Sequence, residues 1–172
     1  MVRANVTDGN FDGAKFRSWL IREVLITRTF GLADRERNAW VLDALAEWWP
    51  HREKALLPLK ERPELVRGAF SALPSDFSPR HLERWLTVRK EHPNEAPELA
   101  SVGLDVLAQT RGEDACRRFL SAMFAGKYAK NASCWWRDVS HPASGRLKRE
   151  TGISIEELVD EWRHALEEVR QP

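Results

Sequence analysis

The sequence predicts an all-α fold, a single multi-helix domain. Apolar residues recur at spacings of three and four along most of the chain, and no segment shows clean alternation with a period of two. Prolines and glycines fall where such helices would start and stop. The length of 172 residues and an apolar share of 42% suit one domain with its own core, to which eight tryptophans and seven phenylalanines bring large side chains. Any strand would be short and close to the N-terminus.

Residues 1–14 read as an irregular segment, with turn signals at Asp8-Gly9 and Asp12-Gly13, and residues 15–170 as the helical domain. Phe16, Trp19, Leu20, Val24 and Thr27 form the stripe of a first helix that stops near Gly31. Asp34 is placed to cap a second helix with its body at 37–49, burying Ala39, Trp40, Leu42, Leu45, Ala46 and Trp49 before Pro50 halts it. Residues 61–73 form a short helix opening near Pro63, with Leu65, Val66, Ala69, Phe70 and Leu73 inward. Ser78-Pro79 opens another, carrying Leu82, Trp85, Leu86 and Val88, because Pro suits a first helical turn.

The two prolines between His92 and Pro97 mark a connection. Pro97 or Glu98 then starts a helix running to about Thr110, with Leu99, Val102, Gly103, Val106 and Leu107 on one side. Gly112 separates it from a helix at 113–124 whose inward residues are Ala115, Cys116, Phe119, Leu120 and Met123. Residues 127–150, rich in Ser, Asn, Pro and Gly, read as the least regular stretch. Ser154 and Glu157 have capping-box spacing and open a last helix with Ile155, Leu158, Val159, Trp162, Leu166 and Val169 inward.

Composition excludes several functions. With 27 basic and 26 acidic residues the net charge is +1, which gives no electrostatic ground for a nucleic-acid or anionic-membrane partner. The cluster Arg146, Lys148, Arg149 reads as a solvated face. No apolar run approaches the roughly 20 residues of a membrane span, and the N-terminus has no secretory pattern. The expectation is therefore a cytoplasmic protein, although a fragment of an exported parent would read the same. Neither a P-loop nor a GxGxxG motif occurs. Cys116 and Cys134 lack metal-site spacing, and nothing in their positions indicates a disulfide.

Two stretches of the first third read together. The first is Trp19-Leu20-Ile21-Arg22-Glu23-Val24-Leu25-Ile26. The second is Trp40-Val41-Leu42-Asp43-Ala44-Leu45-Ala46-Glu47-Trp48-Trp49. The pair resembles the two metal helices of gluzincin metallopeptidases, the thermolysin and aminopeptidase superfamily, in which one helix carries HExxH and a following helix the third ligand. Leu45-Ala46-Glu47-Trp48 is similar to the L-A-E-Y run of the second helix, with Ala44 in place of its glycine. Residues 100–125 resemble the family's later helices. The ending Thr151-Gly152-Ile153-Ser154-Ile155-Glu156-Glu157-Leu158-Val159-Asp160-Glu161-Trp162-Arg163 resembles its common tail. The strand-rich subdomain that usually walls the cleft has no counterpart before residue 15.

The resemblance implies a lost metal centre. In HExxH two His one turn apart reach a single zinc, and the Glu polarises the bound water. Here Glu23 stands at the Glu position, but Arg22 and Ile26 occupy both His positions: a guanidinium repels zinc and an alkyl group has no lone pair to give. The relic site would then comprise Arg22, Glu23, Ile26 and Glu47, with Asp43 lining a groove, no metal and no cofactor. Arg22 or Arg28 would partner a buried Glu. The ordinary alternative is that Glu23 and Glu47 are solvated helix carboxylates.

The other candidates are weaker. None of His51, His81, His92, His141 and His164 pairs with another at ligand spacing. His164 reads as a satisfied structural residue beside the last apolar stripe. Cys134 with His141 would make a thiolate pair, but no third orienting group is specified. Trp135-Trp136 reads as an anchor for its irregular segment. The expected function is non-catalytic: a degenerate peptidase-like domain that scaffolds or binds a protein or peptide. The alternatives are an active hydrolase with an unrecognised site and a helical interaction module unrelated to peptidases.

Overall fold

In the computed structural model the described residues are 20, 38–54, 57–125 and 142–170. They contain eight α-helices and no strand: α1 Ala39–Trp48, α2 Pro63–Ala72, α3 Pro79–Glu83, α4 Trp85–Glu91, α5 Glu95–Arg111, α6 Glu113–Ala125, α7 Pro142–Thr151 and α8 Ile155–Arg170. The all-α class expected from the spacing is observed. The expected first helix, apart from Leu20, and the Cys134–Trp136 run lie outside the described residues.

α5 is the hub. α1, α2, α4, α6 and α8 all pack on it, while α7 lies on α6 and α8. From Leu99 to Ala108 every residue of α5 is buried, so its sequence is apolar around most of the circumference rather than along one stripe. It starts at Glu95, before the expected Pro97, because proline costs nothing in the first turn, where its missing N–H has no partner to lose. Gly112, at φ 85°, ends it in the left-handed conformation that only glycine adopts cheaply.

The same chemistry places the other boundaries. Pro63 sits at the start of α2 as expected. The stretch opened by Ser78-Pro79 is two helices rather than one, since Arg84 leaves helical geometry at φ −109° and ψ 31°. That break turns Leu86 outward, 43% exposed, against the inward position expected of it. Residues 142–150, the end of the stretch expected to be irregular, belong to α7: Pro142 opens it, and Ala143, Arg146 and Leu147 are buried. Arg146 therefore belongs to no solvated face; its Nη1 donates to the Met123 carbonyl at 3.2 Å. In α8 the expected capping box forms, with the Ser154 N–H donating to Glu157 at 2.6 Å and the Glu157 N–H donating to Ser154 Oγ at 3.2 Å.

Aromatic rings bind α8 into the hub. Trp162 is fully buried, meets Phe77 edge-on at 5.0 Å and Trp40 at 6.3 Å, and Trp40 stacks on Phe119 at 6.3 Å. Gly103 makes this possible, since a Cβ built there would stand 2.6 Å from the Trp162 ring. His164 is not a core histidine. Its side chain is 74% exposed and its Nε2 lies 3.3 Å from Glu168. Cys116 is a buried free thiol.

Candidate functional site

α1 carries the described part of the expected site. Its capping Asp34 lies outside the described residues, and the helix begins after Asn38. All of its residues except Glu47 are buried. Pro50 shifts the backbone into the 3-10 turn Trp49–Lys54. In consequence Trp48 enters the core, whereas Trp49, expected inside, is 47% exposed.

Glu47 therefore offers the one carboxylate α1 directs away from the core. One turn on, His51 Nε2 stands 3.8 Å from Glu47 Oε1, with both side chains half-buried. Asp43, one turn earlier on the same side of α1, lies deeper, under α4, and is 1% exposed. Its Oδ2 accepts the Trp85 indole N–H at 2.9 Å, and the Arg89 guanidinium lies 3.4 Å from its Oδ1. Such a buried carboxylate needs both a donor and a counter-charge, and α4 supplies the two from successive turns. Asp43 thus ties α1 to α4 instead of standing free on a groove wall. Arg22, Glu23, Ile26 and Arg28 lie outside the described residues. Among the described residues no group of three or more His, Cys, Asp or Glu could hold a metal ion.

A half-open groove of about 990 Å³ lies elsewhere, between the end of α2, the helices α3 and α4, and the start of α8. Leu73, Pro74 and Val88 give it apolar surface, and Arg84, Glu91 and Glu156 give it charge of both signs. Ser78 and His81 sit at its edge. The Ser78 N–H donates to His81 Nδ1 at 3.2 Å, Ser78 Oγ is 3.1 Å from the same nitrogen, and His81 Nε2 is 3.6 Å from Asp76. The array resembles a Ser–His–carboxylate relay in outline. The backbone N–H already occupies the Nδ1 lone pair, however, so the imidazole closes the helix start and is not set to take a proton from the serine.

A second buried carboxylate escaped the sequence reading. Asp105 of α5 is fully buried, and its Oδ2 accepts from Arg62 Nη1, just before α2. Its Oδ1 and the Trp48 indole N–H miss full hydrogen-bond geometry, yet Trp48 stands close enough to act on the carboxyl as a donor. Burial outweighs the Arg62 charge and pushes the Asp105 carboxyl up to about 7. Burial first, then the negative Asp105 beside it, pushes the Cys116 thiol up to about 12. The one signal for Asp105 was an acidic residue inside the apolar run Leu104-Asp105-Val106-Leu107; its partner lies 43 residues away.

No protein-family model, curated protein or solved structure matches the chain. Among the described residues no helix is long and apolar enough to cross a membrane.

Proposed function

We propose that the chain is a non-catalytic, degenerate metallopeptidase-like domain that binds a protein or peptide. The observation that carries this reading is the pair Arg22 and Ile26, which stand at both zinc-ligating positions of the HExxH pattern while Leu45-Ala46-Glu47-Trp48 keeps the form of the third-ligand helix. Two features of the fold support it. Glu47 is the outward residue of α1, and its carboxylate faces His51. The groove of about 990 Å³, with apolar and charged walls, has the size and mixed lining that suit a peptide segment.

Metal analysis of the purified chain, paired with a peptide-cleavage assay with and without chelator, tests the reading. The expected result is no stoichiometric zinc and no cleavage that chelator abolishes. Either one would replace the reading with that of an active hydrolase.

The helical module unrelated to peptidases keeps one observation in its favour. Asp43, which the peptidase resemblance puts on a groove wall, is enclosed by Trp85 and Arg89. Spin labels at positions 23 and 47 distinguish the two readings. A short distance favours the relic site, and labels on unconnected faces favour the unrelated module.

A further inference from the structure

The groove bounded by α2, α3, α4 and α8 carries a charge of its own. Four carboxylates line it, those of Asp76, Glu83, Glu91 and Glu156, against the guanidinium groups of Arg80 and Arg84. The groove is thus negative in a chain whose net charge is +1. Asp76 faces His81 at 3.6 Å. Glu83, Glu91 and Glu156 are exposed, and among the described residues their side chains make no hydrogen bond or ion pair.

The apolar surface beside these carboxylates comes from Leu73 and Pro74, both half-buried, and from Val88, which is buried. Thr87, Val88 and Glu91 share one face of α4, so apolar contact and a carboxylate are offered within one helical turn. A lysine or arginine side chain matches such a surface. Its alkyl stem lies on apolar atoms while its charged head reaches a carboxylate. An acidic segment would meet the four carboxylates without compensation, which costs affinity and rejects it.

The same chemistry argues against a second copy of the chain entering by its basic helices. On α6 and α7, Arg117 holds Glu113 at 2.6 Å and Arg149 holds Glu150 at 2.9 Å, and Arg118 donates to the Glu150 carbonyl at 3.4 Å. That face would have to break its own pairs to fill the groove.

We infer that the groove takes a peptide segment that is both basic and apolar. Lysine or arginine heads meet Glu83, Glu91 and Glu156, and their stems and apolar neighbours lie on Leu73, Pro74 and Val88. The inference rests on the reading of the chain as a peptide-binding domain and adds the sign of the partner's charge.

Fluorescence anisotropy of short labelled peptides against the full chain tests this. One peptide is built from lysine, leucine and glycine, a second has glutamate for each lysine, and a third has serine for each leucine. The first should bind, more weakly as salt rises, and the other two should bind at least about fivefold less tightly. The combined variant Glu83→Gln, Glu91→Gln, Glu156→Gln should weaken the first peptide by about fivefold or more. A set with the same change of charge outside the groove, at exposed positions, is Glu61→Gln, Asp114→Asn, Glu167→Gln, and it should leave binding within about twofold. All six positions are exposed, and circular dichroism checks that both sets fold. Equal binding of the glutamate peptide, or equal weakening by the distant set, overturns the inference and leaves peptide binding itself standing. Binding of none of the three peptides overturns it and removes the groove from the proposed function as well. Self-association of the chain in sedimentation that the groove set abolishes would give the groove to a second copy and also overturn it.

Discussion

Replacing Gly103 with alanine should destabilise the fold, although the substitution removes a helix-breaking residue from the middle of α5. The new Cβ would stand 2.6 Å from Trp162 Cζ3 and 2.8 Å from both Cε3 and Cη2, where ordinary contact begins near 3.4 Å. The indole would have to retreat by most of an ångström, and it is fully buried with Phe77 and Trp40 against it. Overpacking of this kind costs roughly 1–3 kcal/mol or more, while the Gly-to-Ala gain in helix propensity returns about 1 kcal/mol. With three ring atoms under 3 Å the cost belongs in the upper part of that range, so the net loss should be about 1–2 kcal/mol, a fall in melting temperature of roughly 2–8 °C for a domain of this size.

Thermal and urea unfolding followed by circular dichroism measures it, with Gly68→Ala as the comparison. There the Cβ would meet the carboxyl end of the half-buried Glu98 side chain instead of a packed ring, so the variant should lose less stability than Gly103→Ala. In a Trp162→Phe background the cost of Gly103→Ala should shrink, because the smaller ring leaves room. A Gly103→Ala protein as stable as the parent would refute the placement of α8 on α5.

Three further outcomes are expected. Ser154→Ala removes one half of the α8 capping box and should cost about 1 kcal/mol in urea unfolding, without altering the fold seen by circular dichroism. Cys116, with its thiol pushed up to about 12 and no exposed surface, should resist a thiol reagent at neutral pH in the folded chain, and should react fully in denaturant; a mass spectrum of the labelled Cys116 peptide reads the difference. Asp105 sits near 7 when folded against an ordinary 3.8, so its contribution to stability is complete below the lower value and is lost as pH rises through the upper one. Unfolding free energies from about pH 5 to pH 8 should fall by at most about 3 kcal/mol from this group, and the slope should flatten in Asp105→Asn.

The helical boundaries legible in the sequence were those written in local chemistry. Pro63, the Ser78-Pro79 start, Gly112 and the Ser154–Glu157 box each act within one turn of themselves, and each stands where the spacing put it. α7 was hidden because Pro142, Ser144 and Gly145 are loop formers by composition, and the burial of Ala143 and Leu147 overrides them. The exchange of Trp48 for Trp49 in the core follows from the 3-10 turn at Pro50, a change of pitch that no 3.6-residue pattern anticipates.

Less of the site could be read. Asp43 and Glu47 stand one turn apart on the same side of α1, as neighbours on a groove would, but α4 covers the first with Trp85 and Arg89 and leaves the second half-open. The Arg62–Asp105 and Asp43–Trp85 pairs join residues more than 40 positions apart, a distance at which periodicity carries no information.

Enclosure leaves α1 a narrow mutational allowance. Along Ala39–Trp48 a change of size or polarity meets tightly filled space at nine of ten positions, and only the ninth residue, Glu47, opens outward. A saturation library over this helix would show tolerance concentrated at that residue. Whatever α1 presents to another molecule, it presents through a single replaceable side chain.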